Sequence, residues 1–171
     1  DTLAAIAGEK AGIIKPEKPV LMGKLPPEAD ALVRRVAKER GCKLYALVDR
    51  FPDETSLPRT NLAGSFQRWN AGLATHAIEI LSKRFPVRST TALEQVEWAG
   101  RWQTLEIDGR KLILDATHNP EGAAALKQNL SSLTEQPIII AGSLGKDRAQ
   151  SLMAVVSQYA RELYLVAPKQ D

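Results

Sequence analysis

Apolar residues recur along this chain with two different periods, and the alternation between those periods predicts its elements. Residues 2–11 carry Leu3, Ile6, Ala7 and Ala11 at helical spacing, with Thr2 placed to cap the first turn and Gly12 to end the last. Ile13, Ile14, Lys15 and Pro16 then break into extended chain, and residues 19–23 read as a short buried strand. Pro26 and Pro27 open a helix that runs to Arg40 on a stripe of Leu32, Val33, Val36 and Ala37, with Gly41 as its stop. Residues 42–48 follow as a second strand. Helix, strand, helix, strand is the pattern of a parallel sheet with crossover helices.

Residues 49–62, rich in Pro, Asp, Thr and Ser, have no period and read as loop. A long helix over 64–83 carries Phe66, Leu73, Ala74, Ala77, Ile78 and Leu81 on one side. Residues 84–89, with Pro86 among them, form the expected linker, and a short helix over 91–96 leads into a different region. There, strands 101–107 and 110–114 flank Asp108-Gly109, the strongest two-residue hairpin signal in the chain. Helix 121–133, strand 137–141, loop 142–147, helix 148–159 and strand 162–166 complete the pattern. The domains expected are therefore 1–86 and 87–171.

Composition adds little to this picture. The 171 residues are 44% hydrophobic and 25% charged, as in an ordinary globular protein. Subtracting 20 acidic from 23 basic residues leaves +3, with no basic run interleaved with aromatics, so neither nucleic acid nor a membrane surface is indicated as partner. A polyanionic small molecule suits the charge equally well. No apolar run is long enough to span a bilayer. The lone Cys42 excludes an internal disulfide and fits a reducing compartment, most simply the cytoplasm. The chain opens inside a helical pattern without an initiator Met, as a piece of something longer would.

The stretch LILDATHNPEG, residues 112–122, concentrates polar groups where a strand ends and a helix begins. Loops at the carboxyl edges of strands in α/β sheets collect ligands, because helix N-termini there offer unpaired N–H groups and partial positive charge. Asp115, Thr117, His118 and Asn119 sit on that edge. Three further stretches place polar residues at junctions: EKAGIIKP from Glu9, NLAGSFQRWN from Asn61, and WAGR from Trp98. Read locally, each has a plain explanation. Asp115 and Asn119 are turn formers and caps, Lys10 a solvated lysine, Arg101 a surface charge, and Asn70 a polar residue one turn after Phe66. GSLGK from Gly142 lacks the full spacing of a phosphate loop.

In this order and spacing, however, the four stretches resemble the second half of the folylpolyglutamate synthases, including the bifunctional dihydrofolate synthase form, within the Mur ligase superfamily. DTLAAIAGEKAGIIKPEKPV is the sharpest match, and NLAGSFQRWNAGLA, EWAGRWQ and LDATHNPEGAAAL keep register with it. Phe66 and Thr117 depart from the family's usual His and Ala or Gly. The resemblance implies an α/β fold: part of a central P-loop ATPase-type parallel-sheet domain, then a Rossmann-like Mur ligase C-terminal domain, truncated here.

It also implies an ATP-dependent ligase that activates the terminal carboxylate of a folate, or of dihydropteroate, as an acyl phosphate for attack by L-glutamate. Such chemistry is mostly positioning and charge neutralisation by Mg²⁺ and cationic side chains. By resemblance, Lys10 is the lysine whose carbamate helps hold Mg²⁺, a modification that needs a neutral amine. Asn70, Arg101 and Asp115 are the ATP-contacting residues, and His118 acts near glutamate or the transferred phosphoryl group. A monomer in the cytoplasm is implied. Because the family's glycine-rich ATP loop and remaining metal ligands lie upstream, the chain alone is expected to be inactive. Two other readings stand beside this one: another Mur-type ligase acting on cell-wall precursors or amino-acid polymers, and a nucleotide-binding α/β module without catalysis.

Overall fold

The computed structural model describes residues 2–82, 84–87 and 91–167. They divide into two compact units, residues 1–61 with 65–95 and residues 62–64 with 96–171.

In the first unit, Thr2 accepts the Ala5 N–H at 3.2 Å through its hydroxyl and caps helix α1 (Leu3–Ala11), as its position in sequence predicts. The chain then turns at Gly12 and Ile13 instead of extending at once, with the Ile13 and Ile14 N–H groups bonded to the carbonyls of Lys10 and Ala11. That turn buries Ile14 and leaves Ile13 in solvent. Strand β1 (Val20–Met22) and helix α2 (Pro27–Glu39) follow. Ala7 and Ala11 on α1 and Ala29 and Ala37 on α2 are the buried positions of a contact whose small side chains let the two helices approach closely. Gly41, at φ 62°, ends α2: its N–H bonds to Lys38 and that of Cys42 to Ala37, the paired bonds of a Schellman stop.

Strand β2 (Leu44–Ala46) pairs parallel with β1, Val20 opposite Leu44. The strand expected over 42–48 is cut short by helix α3 (Leu47–Arg50). A helical turn brings Leu47 and Phe51, four residues apart, onto one side, where with Leu57 they form the packed centre of the unit. An extended backbone would have placed them on a common face only by stretching them away from Leu57, so burial overrides local pattern here.

Helix α4 (Ser65–Leu81) begins after Gly64, at φ 100°. Its buried positions are Gln67, Ala71 and Gly72, with Trp69 and Leu73 packed on the Leu47 cluster, while Phe66 and Leu81 of the expected apolar side are exposed. Residues 91–94 form a short 3₁₀ turn in place of the helix expected over 91–96. They group with the first unit. Ser89 and Arg88 of the expected linker lie outside the described residues.

In the second unit, β3 (Gln103–Ile107) and β4 (Arg110–Leu114) form the hairpin, Ile107 opposite Arg110. Asp108 and Gly109 both have positive φ, 50° and 71°, the type I′ geometry that matches strand twist. The first strand starts at Gln103 and not at Arg101, because Trp102 takes a left-handed φ of 50°. Helices α5 (Pro120–Ser131) and α6 (Lys146–Tyr159) and the parallel strands β5 (Ile138–Ala141) and β6 (Glu162–Leu165) complete the unit. α6 starts two residues earlier than its pattern suggests, from Gly145 at φ 85°. Ala123, Leu126, Leu130, Ala141, Leu152, Val155 and Val156 make its core, with Ile139, Leu163 and Trp102 packed against it.

The mixed α/β class with parallel strand pairs agrees with the sequence reading. Among the described residues no helix is long and apolar enough to cross a membrane.

Candidate functional site

The second unit brings two of the candidate residues into one corner. Asp115 stands where β4 ends, and its carboxylate is divided between two jobs. Oδ2 accepts the backbone N–H of Trp102 at 3.0 Å; Oδ1 accepts the Thr117 N–H at 3.0 Å and a short hydrogen bond from the Thr117 hydroxyl. The Ala116 N–H donates to the Gly100 carbonyl at 2.7 Å. Arg101 is thus clasped on both sides, its neighbours Gly100 and Trp102 tied to the loop that Asp115 begins.

Gly100 is required for this approach. Its φ is 71°, and a Cβ there would come within 3.3 Å of the Ala116 Cβ. Trp102 anchors the segment in the core, and on the other flank the Arg101 guanidinium lies 5.7 Å from the centre of the Trp98 ring. The guanidinium itself is exposed.

Asp115 keeps room for a ligand. A carboxylate offers about four lone-pair sites; three are taken by Trp102 and Thr117, leaving one on Oδ2 for a hydroxyl donor. Sequence reasoning singled out Asp115 and Arg101 but not the pairing with Trp102 and Thr117, which no local spacing reveals.

The rest of the loop is set by the helix that follows. Asn119 caps α5, its Oδ1 accepting the Gly122 N–H at 2.8 Å, so the plain reading of Asn119 holds. Gly122 leaves space for this cap: a Cβ would lie 2.8 Å from Asn119 Oδ1 and 3.2 Å from Thr117 Cγ2. His118 Nδ1 is 3.0 Å from the Ala116 carbonyl. A carbonyl only accepts, so Nδ1 carries the proton in this contact and a neutral ring presents Nε2 as its free lone pair. His118 is exposed.

The other two candidates lie in the first unit. Lys10, in the last turn of α1, is solvent-exposed, with 76% of its side chain accessible and its Nζ 4.0 Å from Glu9. The segment that follows it is better held: the Arg40 guanidinium donates to the Gly12 and Ile14 carbonyls, and the Cys42 thiol to that of Lys15 at 3.1 Å. Asn70 is exposed on α4, and its side-chain amide donates to Gln67 Oε1 at 3.0 Å, a residue that is itself buried. No hydrogen bond or ion pair joins Lys10 to Asn70 among the described residues.

For a metal the chain offers little. Among the described residues no group of three or more His, Cys, Asp and Glu comes together to hold an ion.

No family model matches the chain. Among curated proteins it is 28% identical to folylpolyglutamate synthase of Lacticaseibacillus casei, over 90% of this chain and 41% of that protein. It is 30% identical to dihydrofolate synthase/folylpolyglutamate synthase of Bacillus subtilis, over 76% of this chain and 36% of that protein. The fold matches a mutant form of L. casei FPGS with a TM-score of 0.78 at 27% identity, covering 100% of this chain and 48% of the other. It also matches an FPGS–AMPPCP complex, with a TM-score of 0.76 at 25% identity, covering 100% and 47%. The chain therefore spans between about a third and half of the length of these proteins. In sequence and in fold it is related to the folylpolyglutamate synthases and corresponds to the C-terminal half of their length.

Proposed function

We propose that this chain is the ATP-closing half of a folylpolyglutamate synthase-type ligase, which joins L-glutamate to the terminal carboxylate of a folate, and to dihydropteroate in a bifunctional form, through an acyl phosphate. The observation that carries the reading is the clasp of Asp115 on Trp102 and Thr117. It ties the backbone on either side of Arg101 to the loop that Asp115 begins, in a chain 28% identical over 90% of its length to a folylpolyglutamate synthase. Relatives of that name favour this chemistry over ligation of cell-wall precursors and over a binding module without catalysis.

In this reading Arg101 offers its planar fork to phosphate oxygens, with its guanidinium near the Trp98 ring and its backbone anchored through Trp102. The open lone pair of Asp115 Oδ2 accepts from a ribose hydroxyl. Asn70, its amide steadied by Gln67, is a further candidate nucleotide contact. His118 Nε2 is free to take a proton near the glutamate amine. Lys10, once carbamylated, supplies one ligand to Mg²⁺. That ion would neutralise phosphate charge during transfer, and its other ligands would come from outside this chain. The protein acts as a cytoplasmic monomer.

The test uses the full-length protein. Arg101→Ala should lower kcat/KM through ATP by about 30-fold, the equivalent of about 2 kcal/mol for one lost charge-assisted contact. Arg101→Lys should restore only part of it, since a point charge does not reproduce a two-pronged contact. Unchanged kinetics for Arg101→Ala at limiting ATP would leave Arg101 an ordinary surface charge.

A further inference from the structure

Two of the three tryptophans are packed, Trp69 on the Leu47 cluster and Trp102 on the core of the second unit. Trp98 is 57% exposed. An indole left in water has a large face that the fold does not bury, and the turn that carries Trp98 gives that face a neighbour.

The Arg101 N–H donates to the Trp98 carbonyl at 3.2 Å and closes residues 98–101 into a turn. Gly100 stands third in it at φ 71°, the position and sign of a type II turn. Such closure sets the first and fourth residues side by side, and the Arg101 guanidinium lies over the Trp98 ring, its carbon 5.7 Å from the ring centre. Attraction between a cation and an aromatic face extends to about 6 Å. The turn is held from behind, because the Gly100 carbonyl and the Trp102 N–H are both bonded to the loop at Asp115 and Ala116.

Among the described residues the Arg101 guanidinium makes no hydrogen bond or ion pair. Arg40, Arg50 and Arg68 differ, since each commits donors to a carbonyl or a carboxylate. Hydrogen bonds that anchor a guanidinium occupy its donors, and a carboxylate partner also offsets its charge. An aromatic ring restrains the plane while leaving the charge and all five N–H donors open. We propose that Trp98 is a positioning residue for the ligation reaction, restraining the Arg101 guanidinium as an uncommitted fork for the phosphate oxygens of the nucleotide. The task given to Arg101 rests on the ligase reading above; its restraint by Trp98 rests on the turn and the ring.

Steady-state kinetics of the full-length protein test this. Trp98→Leu should lower kcat/KM for ATP about two- to fivefold, the range of an exposed cation–aromatic contact, and Trp98→Phe should lower it less. Made on top of Arg101→Ala, Trp98→Leu should have no further effect, because the contact is already gone. Tryptophan carrying increasing numbers of ring fluorines, introduced at position 98 alone, should lower kcat/KM in steps, since fluorine draws charge from the ring face and hardly alters its size. A packing role would instead move the urea midpoint and would not follow the number of fluorines.

A flat fluorine series, or a Trp98→Leu loss that persists in full on Arg101→Ala, would overturn the proposal. Failure of the ligase reading is seen separately, as unaltered ATP kinetics in Arg101→Ala. A loss in Arg101→Ala beside a flat fluorine series would remove the role of Trp98 and leave that of Arg101.

Discussion

Single side chains in this protein are set by partners far away in sequence, and their chemistry follows from those partners. Glu79 shows this in the first unit. Arg50 grips it with two prongs, Nε at 3.0 Å and Nη2 at 2.8 Å, and His76 Nδ1 lies 3.2 Å from the same carboxylate. The Arg50 hydrogen bond, ahead of the contact with His76, holds the Glu79 carboxyl below its ordinary pKa. A carboxylate depressed in the folded state adds stability that is full above the unfolded value, about 4.3, and is lost as pH falls through the folded one. The side chain is 39% accessible, so solvent screening limits the effect to under about 1 kcal/mol. Glu79→Gln should therefore lower stability at neutrality by under about 1 kcal/mol and leave it nearly unchanged in acid, below the folded pKa, so that the acid limb flattens when urea midpoints are plotted against pH. An unaltered acid limb would show that the Arg50 pair contributes nothing. Lys10 is the opposite case, an exposed side chain with no distant partner among the described residues. If its carbamate serves the ligase, Lys10→Ala in the full-length protein should nearly abolish ligation while shifting stability by less than about 0.5 kcal/mol. Carbon-13 NMR of the ¹³CO₂-equilibrated protein with ATP and Mg²⁺ should show the carbamate resonance; an unmodified lysine together with an active Lys10→Ala variant would defeat the assignment.

Among the elements, those governed by backbone rules formed where the pattern placed them. The Gly41 stop and the Asp108-Gly109 turn need positive φ, and their residues supply it. Elements governed by burial did not follow the pattern as closely. On α4 the strongest apolar residues are partly in water, while Gly72 faces the Leu47 cluster; a Cβ there would come within 2.8 Å of Leu57 Cδ2 and 3.5 Å of both Leu47 and Phe51 side chains. Glycine inside a helix costs about 1 kcal/mol relative to alanine, so an unconstrained site would gain from the change. Leu57 is buried and has little room to give. Gly72→Ala should instead destabilise the protein by about 1–3 kcal/mol, the usual cost of overpacking, read from denaturant midpoints at constant m-value. A stabilised variant would mean that the cluster repacks around an added methyl group.

At the scale of the molecule, the described residues form two units, each with a two-stranded parallel pair backed by helices, and a separate hairpin in the second. Neither unit contains the glycine-rich loop with G-x-x-x-x-G-K-[ST] spacing that supplies N–H donors to nucleotide phosphates. Purified as it stands, the 171-residue chain should therefore show no ATP turnover above background with Mg²⁺, folate and glutamate; measurable phosphate release would make the missing loop dispensable. The α/β class, the parallel pairs, the hairpin and the cap at Asn119 were legible from the chain alone, because periodicity, positive-φ residues and capping side chains act over a few residues. Asp115 stood out as a polar residue at the end of a strand, and Arg101 through the resemblance of its stretch to a family. The clasp that joins them was not legible, nor was the helical turn at Leu47 or the glycine face of α4. Each of these depends on which surfaces meet after folding, and a hydrogen bond or a buried contact between distant residues leaves no periodic mark in the sequence that forms it.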